Sequence, residues 1–348
     1  MIKKWSSRLT FFAFVVLMVG LGSNDSLRGI FSTIFQEHFS LTTTQLGLIV
    51  TASYIGNLVF LLVGGNLSTR FSKKRVLQVL ILIWMAALAL FAFTSNYTVL
   101  LIGMALALGS STLLNTTMNL ITPLLFATAP GFFVNFLFFT QEIGTSGSQY
   151  ILGSHADGFA FWQHTNLVLL ILGAVAFVLL LFCNVPEEAA APADAPAQKG
   201  GYDWRIIVPY VLVFGFYFIA EHGVMNWMVA YGVDGLGLPQ ASAAKYLSVF
   251  FGGMMIGRLC LSPLVDKLGA LKSLAAFGGV SCVLYLIGSL GGAVTMPVWA
   301  ISGLSFSILY PTLVMSIRLY FPAQQVSGAA GTILSIASLA DILFNVGF

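Results

Sequence analysis

Between residues 64 and 75 the chain reads GGNLSTRFSKKR. Four basic side chains, Arg70, Lys73, Lys74 and Arg75, crowd into this short stretch between two long apolar runs. A related stretch, SPLVDKLGALK at 262–272, holds the corresponding place much later. FSLTTTQLGLIVTASYIG (39–56) leads into the first, and LGLPQASAAKYLSVFFGG (236–253) leads into the second. From Leu41 to Thr69 is 28 residues, and from Leu238 to Asp266 is again 28. With no gap, Gly56 falls on Gly253, Arg70 on Lys267 and Arg75 on Lys272. A repeat fixes architecture before any other feature does, and this one implies a duplicated helical unit.

What surrounds the repeat decides the solvent. The chain has 348 residues, of which 58% are apolar and only 8% charged; a soluble domain carries roughly 25% charged residues. The composition is that of a multi-spanning membrane protein. A helix needs about 20 mostly apolar residues to cross a bilayer. Eleven stretches meet that measure: 9–36, 44–66, 76–94, 98–125, 132–152, 165–183, 205–231, 242–264, 272–291, 295–318 and 327–348. The basic N-terminus and its apolar run have the look of a signal peptide, but no small-residue cleavage site follows, so they read as span 1.

The long polar stretch, NVPEEAAAPADAPAQKGGYDW (184–204), lacks the apolar area needed to fold and reads as a linker. It divides the chain into a six-span bundle (1–183), the linker (184–204) and a five-span bundle (205–348). The second bundle has 144 residues against 183, a difference of 39, about one span and its loop. The expectation is therefore a truncated six-plus-six protein whose twelfth span is missing. Short cytoplasmic loops collect Lys and Arg. With the N-terminus in the cytoplasm, all fifteen basic residues but Arg28 and Lys245 fall at or near that side. Two matched bundles with a site between them make a transporter plan.

GGNLSTRFSKKR resembles the loop motif of the major facilitator superfamily, usually G-x-L-a-D-R-x-G-R-R/K-R. The second copy keeps the acid of that motif as Asp266, whereas Thr69 replaces it in the first. The resemblance implies an all-α fold of two pseudo-symmetric six-helix bundles, with Arg70, Arg75, Asp266 and Lys267 as gating-loop residues. A narrower likeness is to the L-fucose/proton symporter group. It rests on Asn24–Asp25 in span 1, on FSLTTTQLGLIVTASYIG, and on SILYPTL (307–313), similar to that group's S-I-x-[FY]-P-T. It implies a proton or sugar role for Asp25. That group also has a Glu in span 4 ahead of an Asn-Pro pair; the matching positions here are Asn115, Asn119 and Leu120.

A charged residue at the centre of a membrane helix costs roughly 2.5–3.5 kcal/mol, so each one asks for a reason. Asp25 and Arg28 lie in span 1, Glu142 in span 5, Glu221 in span 7 and Asp341 in span 11. Spans 1 and 7 are counterparts in the two-bundle plan, as are spans 5 and 11, and each contributes an acid. The expectation is that these groups line a shared wet cavity. Asp25 is the leading proton carrier, with Glu142, Glu221 and Asp341 behind it. Asp25 and Arg28, three apart, share a helical face and can neutralise each other. Asn24, Arg28, Asn115, Asn119, Gln141, Asn226, Trp227 and Tyr310 are expected to bind solute, with Trp227 offering a ring face or, alternatively, an interfacial anchor. Tyr310–Pro311 is expected to bend span 10, since Pro removes a backbone donor.

The expected function is secondary active transport of a small polar organic solute, a sugar first, coupled to protons, by a monomer in the bacterial inner membrane. The alternatives are a proton-driven exporter of amphipathic compounds and a non-transporting membrane sensor. No enzymatic constellation is present. Cys183, Cys260, Cys282 and the four histidines have no ligand spacing, so no metal or cofactor is expected. Lipid is the surrounding partner, and nothing points to nucleic acid.

Overall fold

The structure is a computed structural model that describes residues 2–126, 130–186, 203–321 and 323–347. Every regular element among them is helical. In a hydrocarbon layer a helix satisfies its backbone polar groups internally, which is why these apolar runs take that form. The first half comprises α1 (Ile2–Ile30), α2 (Ser32–Phe39), α3 (Thr43–Arg70), α4 (Lys73–Phe93), α5 (Tyr97–Leu125), α6 (Pro130–Ile151) and α7 (Phe159–Phe182). The second comprises α8 (Trp204–Ala230), α9 (Gln240–Cys260), α10 (Ser262–Leu268), α11 (Ala270–Leu290), three short pieces and α15 (Ala323–Gly347). The short pieces are α12 (Met296–Ile301), α13 (Gly303–Phe306) and α14 (Leu309–Ser316).

Helix therefore occupies each of the eleven expected stretches. Among the described residues, seven helical segments are long and apolar enough to cross a membrane by length and composition: Ser7–Ile30, Lys73–Phe93, Tyr97–Asn119, Phe159–Phe182, Trp204–Gly235, Ala270–Leu290 and Gly292–Val314. Of the expected linker, residues 187–202 lie outside the described residues.

Within each half the same helix pair makes the closest approach. Gly56 on α3 faces Ala105 of α5 so tightly that a Cβ would run into the Ala105 carbonyl. Gly253 on α9 faces Gly303 and Leu304 of α13, and a Cβ there would lie 3.0 Å from the Leu304 nitrogen. The two glycines that the repeat superposes do the same job: they let two backbones touch where side chains would hold them apart. In the second half the packing continues into an apolar core that includes Phe214, Phe250, Phe251, Met254 and Phe306.

Span 10 is broken earlier than the sequence suggested. Its helix is interrupted at Ser302 and again at Ser307–Ile308, whereas Pro311 lies inside α14. The hydroxyls of Ser302, Ser305 and Ser307 donate to the carbonyls of Trp299, Ser302 and Leu304 at 2.6, 2.9 and 2.7 Å. Such back-bonding competes with the helical ladder and bends it, so the serines account for the interruptions that precede α14.

By internal contact the chain divides into two compact units. One contains Met1–Asp25, His38–Gly144 and Asp157–Gly201; the other contains Ser26–Glu37, Thr145–Ala156 and Tyr202–Phe348. The second unit thus takes in one end each of α1 and α6. A Cβ on Gly29 would strike the Met225 carbonyl, and one on Gly153 would strike the Ala244 side chain. Ser146 and Ser248 exchange hydroxyl-to-carbonyl bonds at 2.9 and 2.8 Å. The Gln240 amide donates to the Ile30 carbonyl at 2.7 Å and accepts from Thr33 at 3.1 Å.

Candidate functional site

In the first unit a polar stripe runs along α5. Ser111, Asn115 and Asn119 are each four residues apart, and that spacing stacks them on one helical face. The Ser111 hydroxyl donates to the Asp25 carboxylate, 3.3 Å to Oδ1 and 3.4 Å to Oδ2. Asn119 Nδ2 donates to Asn115 Oδ1 at 2.6 Å, and Asn115 Nδ2 donates to Gln141 Oε1 at 2.7 Å. Glu142, buried, is the next residue along α6. Asn24 is buried and accepts from the indole of the fully buried Trp84 at 3.1 Å. Asp25 thus joins α1 to the α5 stripe, while Asn115, Asn119 and Gln141 form one chain of amides. Ser111 did not figure among the expected site residues; its spacing of four from Asn115 was the available signal.

The second unit holds a separate cluster. His222 Nδ1 lies 2.6 Å from Asp341 Oδ2, joining α8 to α15. Glu221 and Arg28 lie near enough to act electrostatically on His222. The Phe218 ring stacks on the imidazole, 5.6 Å between centres and 8° from parallel. Tyr310 stands beside Tyr217, Phe218 and Phe214 at 5.6, 6.2 and 6.0 Å between ring centres. Tyr217 in turn stacks on Phe306 at 4.9 Å. Asn226 and Trp227 are buried on the same helix. The expected residues Arg28, Glu221, Asn226, Trp227, Asp341 and Tyr310 therefore fall in this unit, whereas Asn24, Asp25, Asn115, Asn119, Gln141 and Glu142 fall in the first. His222 was missed as a site residue. Its partner is 119 residues away, and no spacing rule links the two.

Of the expected gating residues, the side chains of Arg70 and Asp266 lie outside the described residues, and Arg75 and Lys267 are exposed. A neighbour in the same loop has a clear task. Lys74 Nζ donates to the carbonyls of Leu181 and Cys183 at 3.0 and 2.7 Å. It closes the C-terminal end of α7, where a cation meets both orphan carbonyls and the negative end of the helix dipole.

The second unit also contains a cavity of about 830 Å3 between α8, α11 and α14. Tyr217, Ser281, Tyr285, Phe306 and Ser316 help line it, and none of the expected site residues does. Its wall is predominantly apolar, so a polyhydroxylated solute there would leave many hydroxyls without partners. Among the described residues no group of three His, Cys, Asp or Glu side chains could hold a metal ion.

The profile of the Major Facilitator Superfamily matches residues 10–344. The chain belongs to that superfamily. Its curated relatives include the L-fucose-proton symporter of Escherichia coli, 24% identical over 83% of this chain and 75% of the relative. The cis,cis-muconate transport protein of Acinetobacter baylyi is 24% identical over 79% and 70%. Among solved structures, the inward-open xylose transporter from E. coli superposes with a TM-score of 0.75, covering 98% of this chain and 88% of that one at 14% identity. At that identity the superposition establishes the fold alone. The protein is thus an all-α, multi-pass transporter of the major facilitator type.

Proposed function

We propose that this chain is a secondary transporter that moves a small polar solute, a sugar first, across the bacterial inner membrane, driven by protons through alternating access. The observation that carries this reading is the half-buried polar stripe of Asp25, Ser111, Asn115, Asn119 and Gln141. A titratable carboxylate there adjoins a row of amides. Amide rows suit hydroxyl-rich solutes because each side chain both donates and accepts, and a membrane-buried carboxylate suits a proton relay. Asp25 is the leading proton carrier; Glu142, Glu221 and Asp341 are further ones. Asn24, Asn226, Trp227 and Tyr310 complete the proposed solute contacts, and Arg70, Arg75, Asp266 and Lys267 the gating loops. The L-fucose-proton symporter among its relatives supports sugar as the cargo.

A specific observation favours a second reading, in which the cargo is an organic anion. Arg28 is buried on α1, and one curated relative carries muconate. Reconstitution into proteoliposomes decides between the two. Under an imposed pH gradient, accumulation of labelled L-fucose that muconate fails to inhibit supports the sugar reading; muconate uptake without fucose uptake supports the anion. Loss of a hydrophobic dye instead would mean export. No flux of any of the three would sink transport of these solute classes.

A further inference from the structure

The His222–Asp341 pair is more than a second acidic position. The two side chains face each other across α8 and α15 at 2.6 Å. Their exposures differ in a telling way: the Asp341 side chain is 2% exposed and that of His222 25%. The imidazole is therefore the more accessible of the two groups. The contact also sets the tautomer. With Nδ1 against a carboxylate oxygen, Nδ1 carries the hydrogen and donates it, which leaves Nε2 as the basic nitrogen for an arriving proton.

Counting charges gives the pair a consequence. The ionisable groups acting on His222 include Asp341 from α15, Glu221 from its own helix α8 and Arg28 from α1; Arg258, from α9, acts with Glu221 on Tyr217 and Tyr310, and Tyr310, from α14, packs against the intervening Phe218 ring. With both acids ionised, Glu221 and Asp341 contribute two negative charges and Arg28 one positive. Protonation of His222 therefore adds one positive charge beside these groups. Enclosing charge at membrane depth is costly, so the loaded and empty states, one charge apart, differ in how readily they can be shut away from water. That difference is what couples proton binding to a change of conformation. The acid expected in span 4 is meanwhile an amide, Asn115, bonded to Gln141.

We propose that His222, oriented by Asp341, takes up the driving proton on Nε2, so that the coupling site of this transporter includes the α8–α15 contact as well as span 1. Water on the open side supplies the proton. A bond forms from Nε2 to hydrogen, Nδ1–H remains on Asp341, and the same proton leaves from Nε2 when the cluster opens to the other side. The proposal rests on the proton-coupled reading above.

The test uses the full chain in proteoliposomes, as the parent protein, His222→Gln and Asp341→Asn, with monodispersity in detergent as the check on folding. Histidine-labelled protein is titrated by NMR over about pH 5 to 8, the range in which imidazole changes charge, and His222→Gln identifies the resonance. The expected result is a His222 resonance that titrates within that range and moves in Asp341→Asn. One that keeps a single protonation state throughout overturns the proposal, whether or not any solute is transported. In the flux arm, His222→Gln is expected to lose pH-gradient-driven accumulation of L-fucose while retaining fucose counterflow. A variant that still concentrates fucose as the parent does overturns the role of His222 and leaves the transporter reading standing. Absence of fucose flux in the parent protein instead counts against the sugar reading, and the titration alone then decides.

Discussion

Ser111 donates its hydroxyl to both oxygens of Asp25, at 3.3 and 3.4 Å. These are long bonds to a partly exposed carboxylate, so the serine orients the acid more than it stabilises it. Asp25→Asn keeps an oxygen acceptor of nearly the same shape and removes the charge. The expected outcome is a folded protein that exchanges solute across the membrane and no longer accumulates it against a gradient. Ser111→Ala should be milder, costing about 1 kcal/mol, the net worth of one hydrogen bond. Initial uptake rates and steady-state accumulation in proteoliposomes measure both; an Asp25→Asn variant that accumulates normally removes Asp25 from the proton path.

The α3–α5 contact makes a prediction about stability alone. Gly56→Ala places a methyl group against the Ala105 backbone carbonyl, and overpacking of this kind costs about 1–3 kcal/mol. The thermal midpoint in detergent should fall. Gly147→Ala is the control, because nothing lies within 4 Å of the added Cβ. In mid-helix that change should be neutral or stabilising by up to ~1 kcal/mol.

The loop that first pointed to the fold has one role that can be separated from gating. Lys74→Met removes the cation that closes α7 and leaves the Leu181 and Cys183 carbonyls without its ammonium. A loss of about 1 kcal/mol of stability is expected, the upper range for a helix-end charge at a surface, with transport per folded molecule unchanged. Transport lost at an unaltered thermal midpoint would instead give Lys74 a part in gating.

Much of this architecture could be read from the chain because lipid imposes simple rules. Each expected span is helical since no other form hides its backbone, and the ungapped repeat placed Gly56 on Gly253 before either was seen at a helix contact. The site was harder. Asn115 and Asn119 announced a common face through their spacing, and Gln141 could be suspected as a partner. His222 and Asp341 could not be joined, because their meeting depends on how α8 lies on α15, which no local pattern encodes. The same limit hid Lys74 as the closing residue of α7. The breaks in span 10 were misplaced: Pro311 was noticed, whereas the serines act through back-bonds that require the helix to exist first.

The hydrogen bonds of Gln240 and Ser248 lead to a last prediction, about access. Gln240 holds the Ile30 carbonyl and the Thr33 hydroxyl, and Ser248 holds Ser146. Both tie ends of α1 and α6 to α9. In a carrier that works by alternating access these bonds must break each time that end opens, so they bias which state is populated. Each is worth roughly 0.5–1.5 kcal/mol net, and a two-state balance shifts about tenfold for every 1.4 kcal/mol. Gln240→Ala with Ser248→Ala should therefore favour the state in which this end is open. A cysteine at the half-buried position Thr33, in a background with the three native cysteines changed to Ser, would report it through labelling by a membrane-impermeant maleimide. Labelling should quicken severalfold in the double variant, and Gln240→Glu, which loses the donor to the Ile30 carbonyl, should label nearly as fast as Gln240→Ala. Equal labelling of the parent and the double variant would mean that these bonds fasten helices within a rigid body and have no part in opening.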